Sequence, residues 1–299
     1  MAILEIKDLA KSFGKKEVLR GLSLSVPEHS IFGFIGRNGA GKTTAMRAVL
    51  GLLRPDGGEI YVAGEKVEFG GGKTNRYIGY LPDVPEFYGF MTAREYLCLC
   101  GESLGMSKAE IKERSEELLS LVGLAEEKHR VRGYSRGMKQ RLGIAQALFA
   151  RPKLLICDEP TSALDPVGRK EILDVLFAAR EQTTVLFSTH ILSDAERICT
   201  DIAFLNGGKI AMQGTVAELK KLRQKEEFSL ELASDEHIST ITNKFPSAKI
   251  TGKETLSFLG GESEMYAMLA FIAENKIPFT KIERAEPTLE SLFMEVAAK

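Results

Sequence analysis

The stretch "SIFGFIGRNGAGKTT", Ser30 to Thr44, decides the fold of this chain. It opens with a short apolar run ending in glycine at Gly36, as a buried strand does. Gly36-Arg37-Asn38-Gly39-Ala40-Gly41-Lys42-Thr43-Thr44 then fits G-x-x-x-x-G-K-[ST], with a strand before it and a helix pattern after it. Glycines at 36, 39 and 41 let backbone N–H groups come close to phosphate oxygens. With such a motif, Lys42 would reach the outer phosphates of a nucleotide and Thr43 would offer its hydroxyl to Mg²⁺. A glycine-rich turn with an exposed lysine is the bland alternative, and it does not explain the strand-loop-helix context.

Two further runs have the same buried-strand character, "KLLICDEP" and "TTVLFSTH". Continuous apolar strands are those buried on both faces of a mainly parallel sheet. The first ends in two carboxylates, Asp158 and Glu159. Buried and unpaired they would be costly, and a nearby cation removes that cost. Asp158 is expected to hold Mg²⁺ and Glu159 to act as base toward an attacking water.

Around these runs, "MAILEIKDL" and "GLSLSV" alternate apolar and polar residues as half-buried strands do, and "RYIGYLP" is a strand stopped by Pro82. "IAFLNGGKI" reads as two strands joined by a glycine turn. Thr92 with Glu95, Ser107 with Glu110, and Ser193 with Glu196 form capping-box patterns at three helix starts. Asp165 with Pro166 starts a fourth helix. "YSRGMKQRLGIAQAL", Tyr134 to Leu148, is a turn followed by an amphipathic helix. Its Ser135 start carries unpaired N–H groups and attracts anions.

From about Glu226 the pattern becomes β-α-β-β-α-β, that of a small ferredoxin-like domain, followed by a last helix "TLESLFMEVA". The boundary falls in the charged stretch Ala217 to Glu227. The expected division is residues 1–216 and residues 217–299.

The charge balance of 40 basic against 41 acidic residues, net −1, gives no reason to expect a nucleic-acid partner. Cys98, Cys100, Cys157 and Cys199 lack zinc-site spacing, and Cys98 with Cys100 is too close for Cys-x-x-Cys. They read as buried thiols of a reducing compartment. No apolar run approaches the ~20 residues of a membrane-spanning helix.

The order "GRNGAGKTT", "YSRGMKQR", "LLICDEP", "SALD" and "STH" resembles an ABC transporter ATP-binding subunit, from about residue 2 to 215. The resemblance implies a P-loop cassette with a mainly parallel core sheet, an antiparallel β subdomain and a helical subdomain. It implies ATP and Mg²⁺ as ligands and two copies that sandwich ATP head to tail. Ser135, Arg136, Gly137 and Met138 then form the signature that meets the partner copy's nucleotide. Tyr134, Arg136 and Met138 depart from the common Leu-Ser-Gly-Gly-Gln, while the serine and second glycine stay. Ser135 as a plain helix cap is the alternative. His190 would contact the γ-phosphate, Asp165 would couple the two sites, and Phe13 would stack on adenine unless it is a core residue.

Asp83 stands where that family usually has glutamine between active site and membrane domain. It is assigned to coupling, with an approach to Mg²⁺ as its other role. Acidic residues there, with the small C-terminal domain, resemble the type-two bacterial exporters of drugs, peptide antibiotics, lipids or polysaccharides. The resemblance implies a separate transmembrane permease, a docking surface near Phe87, Tyr88, Phe90 and Met91 for which core burial is the alternative, and a location on the inner face of the cell membrane. A non-transport ABC ATPase acting on ribosomes or DNA is the alternative function.

Overall fold

The computed structural model describes residues 2–221, 227–284, 289–290 and 292–293. They form two compact units, residues 1–216 with 293–299, and residues 217–292.

The first unit begins with β1 (Ala2–Phe13) and β2 (Lys16–Pro27), followed by β3 (Ile31–Gly36) and α1 (Lys42–Val49). β4 (Gly57–Val62), β5 (Glu65–Lys66) and β6 (Ile78–Leu81) precede α2 (Ala93–Ser103), α3 (Lys108–Leu121) and α4 (Arg136–Leu148). β7 (Leu154–Cys157), α5 (Pro166–Ala179), β8 (Thr184–Thr189), α6 (Leu192–Ile198), β9 (Asp201–Asn206) and β10 (Lys209–Thr215) complete it.

The central sheet has the order β10-β9-β3-β8-β7-β6. All its pairings are parallel except β9 with β10. A four-stranded antiparallel sheet, β2-β1-β4-β5, accompanies it. Every residue of β3, β7 and β8 is buried, because layers cover both faces. The strand period of two divides their side chains between two cores. Leu155, Cys157, Val185 and Phe187 pack with the helices, whereas Leu154, Ile156 and Leu186 pack with β1, β2 and α1. Because β3, β7 and β8 run parallel, their C-terminal ends put Gly36, Asp158 and His190 on one edge of the sheet, where ligands bind in open α/β sheets.

The helices begin largely as their caps dictate. Thr92 and Ser107 make complete capping boxes with Glu95 and Glu110. Asp165 accepts from the Gly168 N–H at 2.7 Å, with Pro166 in the first turn. Ser193 and Glu196 do not form the expected box. The Ile191 N–H donates to Thr189 Oγ1 at 2.9 Å, and the helix begins at Leu192, so Ser193 already lies inside the first turn. Two glycines set the position of α4. A Cβ on Gly79 would stand 2.1 Å from the Ala147 carbonyl oxygen, and one on Gly143 2.5 Å from Leu81. Only at this close approach can α4 lie against β6 and the loop that follows it.

At the unit junction, α7 (Val216–Lys221) occupies part of the charged stretch, and its Leu219 is buried although little core was expected there. The second unit contains β11 (Glu227–Leu232), α8 (Ile238–Lys244), β12 (Ala248–Ile250), β13 (Thr255–Leu259), α9 (Glu262–Glu274) and β14 (Phe279–Arg284). Its sheet order is β12-β13-β11-β14, antiparallel throughout, the ferredoxin-like arrangement. Phe228, Leu230, Leu232, Leu256 and Phe258 pack with Ile241, Met268 and Ile272 into its core. The last helix pattern lies mostly outside the described residues.

Candidate functional site

The chain leaves β3 at Gly36 and enters α1 at Lys42 through a loop with positive φ at Gly39 (79°) and Gly41 (112°). Gly41 is the N-cap of α1, and a side chain there would be strained and would clash with Leu19. The loop's curvature buries Lys42, which is 5% exposed. Its Nζ donates to the Gly36 carbonyl at 2.7 Å and lies 3.0 Å from Glu159 Oε1.

At the end of β7, Asp158 and Glu159 diverge. The Asp158 N–H donates to the Leu81 carbonyl at 2.8 Å, while Asp158 Oδ1 accepts from Ser188 Oγ at 2.7 Å. Ser188 Oγ in turn accepts from the Glu159 N–H at 2.9 Å. Glu159 has φ of 49°, a conformation that costs a non-glycine residue energy and turns its side chain out of the strand direction. Its Oε2 lies 2.8 Å from His190 Nδ1. One carboxylate is thus held between Lys42 and the histidine at the end of β8. Burial, then the Asp158 charge, pushes the Tyr80 hydroxyl up to about 12, and the same causes push the Cys157 thiol up.

A cleft of about 540 Å³ opens over this edge. It brings together Phe13, Asn38, Gly39, Gly41, Lys42, Thr43, Thr44, Asp83, Glu159 and His190 among the residues singled out from sequence. Gly36, Arg37, Ala40 and Asp158 are not part of its wall. Phe13 is 52% exposed, which overturns its reading as a core residue. Ser135, Arg136, Gly137 and Met138 do not line the cleft of their own chain. Ser135 caps α4 by accepting from the Met138 N–H at 3.2 Å. Arg136 instead pairs with Asp83, Nη2 to Oδ1, at 3.1 Å. Beside them, Phe87 packs edge-on against Tyr96 with centroids 5.0 Å apart, whereas Tyr88 and Phe90 are exposed.

Several partners escaped the sequence reading. Lys16, Val18 and Ser162 also line the cleft. Behind it, buried Asp194 accepts from Thr161 Oγ1 at 2.7 Å and from Arg169 Nη2 at 2.5 Å, tying α6 to α5 and to the turn after Glu159. Ser188, a polar residue at the end of an apolar run, was a signal for its link to Asp158 but not for this network. The cysteines also differ from expectation. All four are free, but only Cys157 is fully buried.

The sequence matches the ABC transporter family over residues 19–162. It is 39% identical over 303 residues to the ABC transporter ATP-binding protein YxlF of Bacillus subtilis (strain 168), covering 98% of this chain and 99% of that one. The chain belongs to the ABC transporter ATP-binding proteins. It is also 35% identical over 304 residues to the bacitracin transport ATP-binding protein BcrA of Bacillus licheniformis, covering 98% and 97% of the two chains. Among solved structures, an ATP-binding subunit of an ABC transporter aligns with a TM-score of 0.65 and 32% identity, over 74% of this chain and 92% of that one. As a member of this family the chain binds and hydrolyses ATP and is the ATP-binding subunit of a transporter. The alternative function on ribosomes or DNA is not favoured. No helix among the described residues is long and apolar enough to cross a membrane.

Proposed function

We propose that two copies of this chain close head to tail over two ATP molecules and drive export through a separate membrane permease. The carrying observation is a division of labour at the site. Lys42, Glu159 and His190 converge on one cleft, while Ser135 is exposed and lies off that cleft. A helix start of this kind, aimed at no group of its own chain's cleft, suits the phosphate of a nucleotide held by a second copy.

Within one cleft, the backbone N–H groups of the Gly36–Thr44 loop receive the phosphates, and Phe13 offers an exposed ring to the base. Lys42 neutralises phosphate charge, Glu159 takes the proton of the attacking water, and His190 contacts the γ-phosphate. Asp165 carries communication between the two sites. Among the described residues no cluster of three His, Cys, Asp or Glu forms a metal cage. That suits Mg²⁺, which takes one or two protein oxygens and completes its shell with water and phosphate. Thr43 and Asp158 would hold the ion, which would supply charge neutralisation for the phosphates.

The exposed Tyr88 and Phe90 beside Asp83 serve as the docking surface for the permease, with Asp83 as the coupling residue. This places the subunit in the cytoplasm against the inner face of the cell membrane. Kinship with a bacitracin transport protein supports a drug or peptide antibiotic as cargo. The smaller unit is an accessory domain that supports the dimer or its regulation. Light scattering with ATP tests the dimer. The wild-type chain dimerises, whereas Ser135→Arg binds ATP but stays monomeric. ATP-driven dimerisation of Ser135→Arg contradicts the trans role.

A further inference from the structure

Arg136 is the first residue of α4, and Gln140 follows one turn later on the same face. Both hold the loop after β6. Arg136 Nη2 lies 3.1 Å from Asp83 Oδ1, and Gln140 Nε2 donates to the Asp83 carbonyl at 2.5 Å. Gln140 is fully buried, whereas the Arg136 and Asp83 side chains are 40% and 47% exposed. Asp83 also lines the cleft with Lys42, Thr43 and Glu159.

Two electrostatic problems meet here. A cation in the first turn of a helix opposes the helix dipole, and α4 opens with Arg136 and Lys139 and no acidic residue. A further carboxylate beside Asp158 and Glu159 repels the phosphates of a nucleotide. The contact between Arg136 and Asp83 relieves both at once. An exposed ion pair adds little to folding stability, so its consequence falls on the site rather than on the fold.

We propose that Arg136 is a positioning residue for the nucleotide site of its own chain: it holds the Asp83 carboxylate off the phosphates, while Gln140 fixes the Asp83 backbone to the same helix. The inference rests on the cleft being the ATP site. The helix start offered to a second copy's nucleotide thereby also sets the charge of the cleft in its own chain.

The test uses the full chain, diluted so that single chains predominate, and titrates a fluorescent ATP analogue in EDTA and in excess Mg²⁺. Arg136→Gln weakens binding in EDTA about two- to fivefold, as loss of one exposed charge contact does. Excess Mg²⁺ shrinks the difference, because the cation absorbs the freed carboxylate. Arg136→Lys retains most of the affinity. In an Asp83→Asn background, Arg136→Gln changes nothing further. Unchanged binding by Arg136→Gln in EDTA overturns the proposal, as does an equal loss with and without the Asp83 carboxylate. Matching melting curves exclude misfolding as the cause. If the wild-type chain itself failed to bind the analogue, the cleft assignment would fall and the proposal with it, an outcome distinct from loss of background dependence.

Discussion

The two units bury different chemistry. Among the described residues, every buried polar or charged side chain, from Ser30 to Asp194, lies in the first unit. The second unit closes its sheet with Phe228, Leu230, Leu256, Phe258, Met268 and Ile272, with no buried polar side chain among its described residues. Buried polar groups cost free energy unless they are paired. The first unit bears that cost in pairs at the end of a parallel sheet, Lys42 with Glu159, Ser188 with Asp158 and Thr161 with Asp194. The difference separates a region built to position charge from one built to pack.

Removing the buried cation breaks the contrast most severely. Lys42→Ala strips Glu159 of its lysine partner and the phosphates of theirs, so ATP affinity falls about ten- to hundredfold in a direct binding titration. Unchanged affinity would remove Lys42 from the phosphate site.

A smaller and differently placed effect follows in the packing region. Phe258, 2% exposed, stacks on Phe228 with centroids 5.6 Å apart. Phe258→Ala destabilises the second unit by about 3–5 kcal/mol. Nucleotide binding by the first unit stays within about twofold, since residues without shared partners act independently. Thermal unfolding with an ATP titration checks both. A loss of binding as large as that of Lys42→Ala would mean that the two regions are not separable in this way.

The smallest effect is a pH dependence. Burial, reinforced by Asp158, raises the Cys157 thiol above its ordinary value of 9.0. The unfolded chain therefore releases this proton before the folded one does. The contribution to stability is complete below about pH 9 and is lost as pH rises above it. Denaturation curves between pH 8 and about 10.5 should show stability falling, and Cys157→Ala should show less of that fall. An identical slope in the variant would assign the loss to other groups.

The edge of the sheet that carries the candidate site was legible in the sequence because its signals are local. The phosphate loop is contiguous, Asp158 and Glu159 are adjacent, and parallel strands announce themselves as unbroken apolar runs. The ferredoxin-like order was legible from alternation in "EFSLEL" and "TLSFL". β4 (Gly57–Val62) was not read from the sequence, since the glycines at its start weaken the strand signal. Its strand character comes from pairing with distant β1, Ile6 against Ile60 and Leu4 against Val62. The Thr161–Asp194–Arg169 network and the pairing of Arg136 with Asp83 join residues separated by 25 or more positions. No local pattern encodes such contacts. The false capping box at Ser193 shows the converse, a local pattern overruled when the hydroxyl of Thr189 fixed the chain's exit from β8.

In the proposed mechanism, the carboxylate held between Lys42 and His190 performs the proton transfer of ATP hydrolysis. Glu159→Gln keeps the shape and removes the base. Its steady-state hydrolysis should fall about 10²- to 10⁴-fold, while ATP affinity, measured on the same preparation, is retained and the ATP-bound dimer accumulates. Hydrolysis by Glu159→Gln at the wild-type rate would contradict the account.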